Sequence, residues 1–424
     1  MSLSAYPIHR HRLDNGLQVI ASPDHAAPSV AVNLWYDVGS RHEQPGRTGF
    51  AHLFEHVMFQ GSAHVASGQH IGLLKAAGAS VNATTWFDRT NYFETLPTGG
   101  LDLALWLEAD RLGSLLDALT IENLDNQREV VKEEKRQRYD NVPYGDAIQR
   151  LIEVTFPADH PYGHTVIGSM DDLDAATVED VRTFFATYYR PNNAVLSIVG
   201  DCEPDSAFAK AETYFGHLAA AEIPPPPSND PLPPLTGLPQ QQTTADVPAD
   251  AVYLTWRLPA VGTPVFDALD LGLTTLGHGQ TSRLHRRLVR RDELAEAASA
   301  STMGLIGGTS LGYAYARARD GIPLERVQEV VLEEVDSLLA DGVTDTELRR
   351  AKAQFERHWL HELARIDSRA DAFGEFATLY GDPDLVNARL AQIDAVDADD
   401  VFTALRDSVR PEHRATVIYR KENR

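Results

Sequence analysis

Two stretches decide the fold: LDAATVEDVRTFFATYYRP, from Leu173 to Pro191, and IDAVDADDVFTALRDSVRP, from Ile393 to Pro411. They align without a gap at an offset of 220, and seven of the 19 positions are identical, among them Asp174/Asp394, Asp180/Asp400, Val181/Val401 and Pro191/Pro411. Each copy opens with acidic residues, which suit the positive end of a helix dipole, and stops at Arg-Pro, where proline cannot continue the helix. An apolar strand follows in both places, Ala194 to Val199 and Ala415 to Tyr419. Two unrelated helix-strand units can match by chance, but duplication of one ancestral half explains the fixed offset more simply.

Between the copies, eight of the 24 prolines fall in residues 224–239, a composition that excludes helix and central strand and favours a semi-rigid spacer. The expected organisation is therefore 1–222, a linker at 223–239, and 240–424. In the first half, Val30 to Val38 alternates like a strand, while Thr48 to Gly61, Leu101 to Leu116 and Asn123 to Tyr139 read as helices. Ala79 to Leu96, rich in β-branched and aromatic residues, reads as a hairpin. The predicted fold class is α+β: two homologous α/β-sandwich domains, each an antiparallel-rich sheet covered by helices.

Composition narrows the function. At about 150 residues per domain, 424 residues hold two or three domains. With 38 Lys+Arg against 61 Asp+Glu, the formal charge of −23 repels a phosphate backbone, so nucleic acid is not the expected partner. No apolar run approaches the ~20 residues of a membrane span. Cys202 is the only cysteine, which excludes an intrachain disulfide and leaves His and carboxylates to ligate any metal. Met1 to Asn15 lacks the apolar core of a secretory signal, so the expected compartment is the cytoplasm.

Residues 52–56 read His-Leu-Phe-Glu-His. Side chains four apart on a helix sit one above the other, so His52 and His56 can present two imidazoles to a single ion. Glu55 lies on the neighbouring edge of that face, within reach of a water on the ion, and Leu53, Phe54, Val57 and Met58 can bury the opposite side. The alternative is a pair of histidines on an ordinary amphipathic helix. A catalytic zinc site needs a third protein ligand and an open position. Glu129, Glu133 and Glu134, on the helix that begins near Asn123, are the candidates, and spacing alone does not choose among them or exclude a solvated, ion-paired helix face.

At this point the chain resembles the inverzincin peptidases, the family of pitrilysin, insulin-degrading enzyme and the mitochondrial processing peptidases, whose signature is His-x-x-Glu-His and, about 76 residues later, a ligating Glu. Seventy-six residues separate His56 from Glu133. Arg12 to Leu17, Ala79 to Ala83, His160 to Gly163 and Arg190 to Ala194 resemble family segments as well, so the likeness covers essentially the whole chain. It implies His52, His56 and Glu133 as Zn2+ ligands and Glu55 as the general base of a zinc endopeptidase acting on unfolded peptides or small polypeptides. It also implies that the peptide substrate pairs as an added strand near Asn82 and Ala83.

Two departures matter. The family's second half supplies an Arg and, seven residues later, a Tyr that reach the substrate; here those positions fall on Val289 and Glu296, and no tyrosine occurs between Tyr253 and Tyr313. Losing one such preorganised donor costs about 10²–10³ in rate. The resemblance therefore implies a dimer in which a homologous zinc-less subunit supplies the Arg and Tyr; a homodimer is the alternative. The family's second Glu, seven residues before the ligand, corresponds on this count to Asn126. The competing functional class is a non-catalytic core or assembly subunit that keeps the fold without the chemistry.

Overall fold

The computed structural model describes residues 5–422. The first half runs β1 (His9–Arg12), β2 (Gln18–Pro23), β3 (Ser29–Tyr36), α1 (Phe50–Val57), α2 (Gln69–Ala76), β4 (Ser80–Thr85), β5 (Thr90–Pro97), α3 (Leu101–Ala118), α4 (Ile121–Lys135), α5 (Ala147–Thr155), α6 (Met170–Ala175), α7 (Val178–Tyr188), β6 (Ala194–Gly200) and α8 (Pro204–Phe215). No helix or strand occupies the proline-rich stretch, and the second half begins at β7 (Gln240–Ala245). It continues through β8 (Ala251–Pro259), α9 (Pro264–Gly277), β9 (Ala295–Met303), β10 (Thr309–Ala318), α10 (Leu324–Asp341), α11 (Asp345–Leu363), α12 (Ile366–Leu379), α13 (Leu385–Ala395), α14 (Ala398–Ser408) and β11 (Ala415–Lys421).

The α+β expectation holds, and the duplication extends to hydrogen-bond register. One sheet has the order β1-β2-β6-β3-β5-β4, the other β7-β11-β8-β10-β9, the same path without the first strand. In the first, Asn33 of β3 pairs with Ser197 of β6. In the second, Tyr253 of β8 pairs with Val417 of β11, each residue displaced by 220. The repeat that reveals the duplication is built from the same cap in both halves. Thr177 and Asp180 form a reciprocal capping box at the start of α7, and Asp397 and Asp400 do so at the start of α14. Each box satisfies helix N–H groups that have no partner within the helix.

In space the chain forms two compact units that do not simply follow the linker. One comprises the chain up to Glu134, Thr165–Pro226 and Trp359–Arg389; the other comprises Lys135–His164, Pro227–His358 and the chain from Leu390 onward. Each unit thus takes one helix from the other half of the sequence. Helix α12 lies on the β3/β6 face of the first sheet, where Ala370, Phe373 and Ala377 share a buried cluster with Ala31, Trp35, Val195 and Val199. Helix α5, which precedes α12 by about the same 220 residues, covers the second sheet, with Ala147 and Leu151 against Ala251, Val417 and Tyr419.

The fit of α12 depends on a missing methyl group. A Cβ on Gly374 would sit 2.4 Å from Trp35 Cδ1, closer than real carbon contacts allow, so the indole packs directly against the helix at this residue. Gly374→Ala should overpack this contact and lower stability by about 1–3 kcal/mol in urea unfolding. Gly72→Ala, inside α2 with nothing within 4 Å of the added carbon, should be neutral or stabilising by about 0.5–1 kcal/mol.

Candidate metal centre

Helix α1 begins at Gly49, whose left-handed φ of 88° lets the chain turn into the helix. A Cβ there would meet Ile167 O at 2.7 Å, so glycine is required on steric grounds too. The helix start has no cap from its own residue. Instead Glu43, itself buried, accepts hydrogen bonds from the N–H groups of Gly49 at 2.8 Å and Ala51 at 2.7 Å. A carboxylate at the positive end of a helix stabilises it electrostatically as well as by hydrogen bonding. Sequence reasoning did not single out Glu43, whose only signal is an acidic residue just before a helix lacking a Ser, Thr or Asp cap.

The apolar face of α1 is fully buried: Leu53, Phe54 and Val57 have no exposure, and Met58 just past the helix is 1% exposed. Phe54 stacks on Phe185 of α7 and on Tyr189, with centroids 5.7 and 5.1 Å away. That packing fixes the rotation of α1 and so aims the other face. On it, the His52 and His56 rings lie 4.9 Å apart, as a four-residue helical spacing requires.

The carboxylate that meets them belongs to Glu134. Its Oε2 lies 3.3 Å from His56 Nε2 and 3.7 Å from His52 Nε2. Glu133, the residue indicated by counting 76 positions, is exposed and is not part of the group. The reason is helical rotation. Leu124, Gln127 and Val131 form the buried stripe of α4, and a period of 3.6 continues that stripe to 134, while 133 is turned some 100° away. The position seven residues before the carboxylate is consequently Gln127, which is buried, and not Asn126, which is exposed. Glu129 is also exposed and pairs with Lys132 at 3.1 Å, an ordinary helix-surface ion pair.

Among the described residues, His52, His56 and Glu134 are the only cluster of at least three such groups whose donor atoms all lie within 4.8 Å of one another. Four ligands at about 2.0–2.1 Å in a tetrahedron stand about 3.3–3.4 Å apart, so the His–Glu separations suit Zn2+. Two neutral nitrogens and one carboxylate are also its usual catalytic donor set.

Glu55 does not join the group of three. Its Oε2 accepts a 2.6 Å hydrogen bond from Thr85 Oγ1. Burial pushes its carboxyl above the usual carboxylate range, with the Thr85 hydroxyl and the His56 imidazole partly opposing the shift. Thr85 ends β4, an edge strand paired only with β5. Trp86 N–H donates to Arg89 O across the hairpin end. By antiparallel alternation, the main-chain groups of Asn82 and Thr84 then face the β5 ladder, and those of Val81, Ala83 and Thr85 face the free edge. Asn82 is exposed and Ala83 is 6% exposed.

Among the described residues, the second unit carries no matching centre. The burial pattern of α11 repeats that of α4 at an offset of 220, and Gln354 stands where Glu134 does. Near it lie Thr274, Thr275 and His278, a single imidazole. Glu296, at the expected Tyr position, pairs with Arg317 at 3.0 Å.

Comparison with known proteins agrees with this asymmetry. Residues 18–169 match the family described as Insulinase (Peptidase family M16), and residues 175–355 match the Peptidase M16 inactive domain. The zinc protease PqqE of Helicobacter pylori is 32% identical over 374 residues, covering 86% of this chain and 81% of that protein. An uncharacterized zinc protease of Streptomyces coelicolor is 26% identical over 408 residues, covering 94% of this chain and 87% of that protein. The crystal structure of a protease from Helicobacter pylori superposes with a TM-score of 0.91 at 28% identity, covering 98% of this chain and all of the other.

The neighbouring glutamates give a direct test of which carboxylate serves as the third donor. Glu134→Gln should lower zinc affinity at least tenfold in a competition titration, whereas Glu133→Gln should bind zinc like the wild type. The reverse result would restore the count of 76.

Proposed function

The chain belongs to peptidase family M16, and from that premise we propose that it is a zinc-dependent endopeptidase, or the metal-bearing subunit of a dimeric one. The observation that carries this reading is the placement of the Glu134 carboxylate against the His52 and His56 imidazoles, with Glu55 beside them and held from the edge strand. His52, His56 and Glu134 would hold the Zn2+. When bound, zinc supplies the Lewis acidity that makes water a competent nucleophile at neutral pH.

The remaining work falls to the chain's own groups. Glu55 takes the proton of the attacking water and returns it to the leaving amine. Its raised affinity for a proton, caused by burial, suits a group that must hold that proton between the two transfers. The substrate pairs along β4, using main-chain groups of Ala83 and Thr85 as an added strand would, with Asn82 projecting beside it. Such pairing reads backbone and requires an extended segment, which selects unfolded peptides or small polypeptides without demanding one sequence.

The carbonyl-polarising Arg and Tyr have no counterpart at Val289 and Glu296, and the Arg317 partner of Glu296 leaves that carboxylate committed elsewhere. A homologous zinc-less subunit that supplies both groups completes the site in this reading. Glu55→Gln should retain one zinc per chain by metal analysis and lose cleavage of a quenched unstructured peptide by at least 10²-fold. Wild-type chain alone should be about 10²–10³-fold slower than chain mixed with such a homologue. Full activity in the isolated chain would remove the case for a second subunit, and activity in Glu55→Gln would remove the case for the mechanism.

A further inference from the structure

Thr84 and Thr85 are consecutive residues of the edge strand, so their side chains leave opposite faces of the sheet. Thr85 faces α1, where its hydroxyl binds Glu55. Thr84 faces α12, where a second polar network grips it. The Arg89 guanidinium donates to the Thr84 carbonyl at 2.9 Å, to the Thr84 hydroxyl and to Asn91 Oδ1 at 3.1 Å. Its plane lies over Trp35, 5.0 Å from the ring centroid. Asn91 Nδ2 in turn donates to Asp371 Oδ1 at 2.8 Å, and the same carboxylate oxygen accepts from Asn33 Nδ2 and Trp35 Nε1, both at 3.0 Å. Asp371 is on α12, the helix contributed by the other half of the sequence.

Resting on the peptidase reading above, we propose that Arg89 and Asp371 are positioning residues for the reaction: through Thr84 they fix the end of β4, and through Thr85 they fix Glu55. Neither touches the metal donors. The geometry fits this role better than a general structural one. A β4 end held by β5 alone could shift, because an edge strand has no partner on its outer side. Arg89 Nη1 alone reaches the Thr84 carbonyl, the Thr84 hydroxyl and Asn91 Oδ1, so one cationic nitrogen ties the end of β4 to β5 and, through Asn91, to α12. Burial raises the Asp371 carboxyl, and Arg89 opposes that rise by favouring the ionised form that accepts all three hydrogen bonds. Glu375, one turn further along α12, is pushed up to about 7 by burial and by Asp371.

The test is a double-mutant cycle on the full chain, with the zinc-less homologue present if turnover requires it. Arg89→Met should keep one zinc per chain and lower kcat by about tenfold to a hundredfold, the scale of an ångström-sized misplacement near reacting groups. Thr85→Val should show a loss of similar size. If Arg89 acts through Thr85, Arg89→Met in the Thr85→Val background should cost less than roughly twofold further. Losses that multiply, or an Arg89→Met enzyme within roughly twofold of wild type, would overturn the positioning role. Should Arg89→Met not fold, Arg89→Gln and Asp371→Asn enter the same cycle under the same criteria. Wild-type and Glu55→Gln controls distinguish the two failures: a Glu55→Gln enzyme as active as wild type defeats the peptidase reading and the positioning role with it, whereas an inactive one with multiplicative losses defeats positioning alone.

Discussion

One Glu134 oxygen facing two imidazole nitrogens has to be held there by other parts of the structure, because withdrawing a carboxylate and two imidazoles from water is unfavourable by several kcal/mol per charged group unless a cation compensates. The holding is apolar on one helix and mixed on the other. Leu53, Phe54 and Val57 anchor α1, and Glu43 ties down its first turn. Leu124 and Val131 anchor α4. Supports on both sides bring the three donors to one point, as a preorganised site requires.

The second half shows what the same fold does without this constraint. Its sheet keeps the strand order and its α14 keeps the reciprocal cap, so the fold does not depend on the metal donors. With Gln354 in place of the carboxylate, the pocket offers one imidazole, His278, and its one carboxylate, Glu347, is bound by Arg283, which leaves fewer than the three protein donors a zinc site needs. A duplicated fold with the metal donors in one copy accounts for both facts. The exchange of α5 and α12 between the compact units then follows from the shared topology: each half sends the corresponding helix to the other unit.

Much of this was legible in the residues. The repeat at 173–191 and 393–411 gave the duplication because capping boxes and Arg-Pro stops are local signals that survive divergence. The hairpin at 79–96 and the apolar face of α1 were readable for the same reason. A count of 76 between distant motifs points to Glu133 because such a count ignores single-residue insertions, whereas the stripe of Leu124, Gln127 and Val131 on α4 carries its own period and points to 134, the carboxylate that meets the imidazoles. Glu43 was missed because its role is a contact with main-chain N–H groups, which no residue pattern announces.

The α12 network was illegible for a deeper reason. Asp371 lies 280 residues from Asn91 and 338 from Asn33, and nothing near it in the sequence marks it as more than one acid on a helix. Its partners make sense only once β3, β5 and α12 are assembled. An edge strand that receives substrate must leave its outer hydrogen-bonding groups open, yet a mobile strand would displace Glu55 along with Thr85. Gripping Thr84 from the opposite face answers both demands, since it adds rigidity without covering the free edge. The open edge and the Arg89–Asn91–Asp371 chain are therefore two consequences of a single requirement, and the helix that satisfies it comes from the half of the sequence where Gln354 stands in place of the carboxylate.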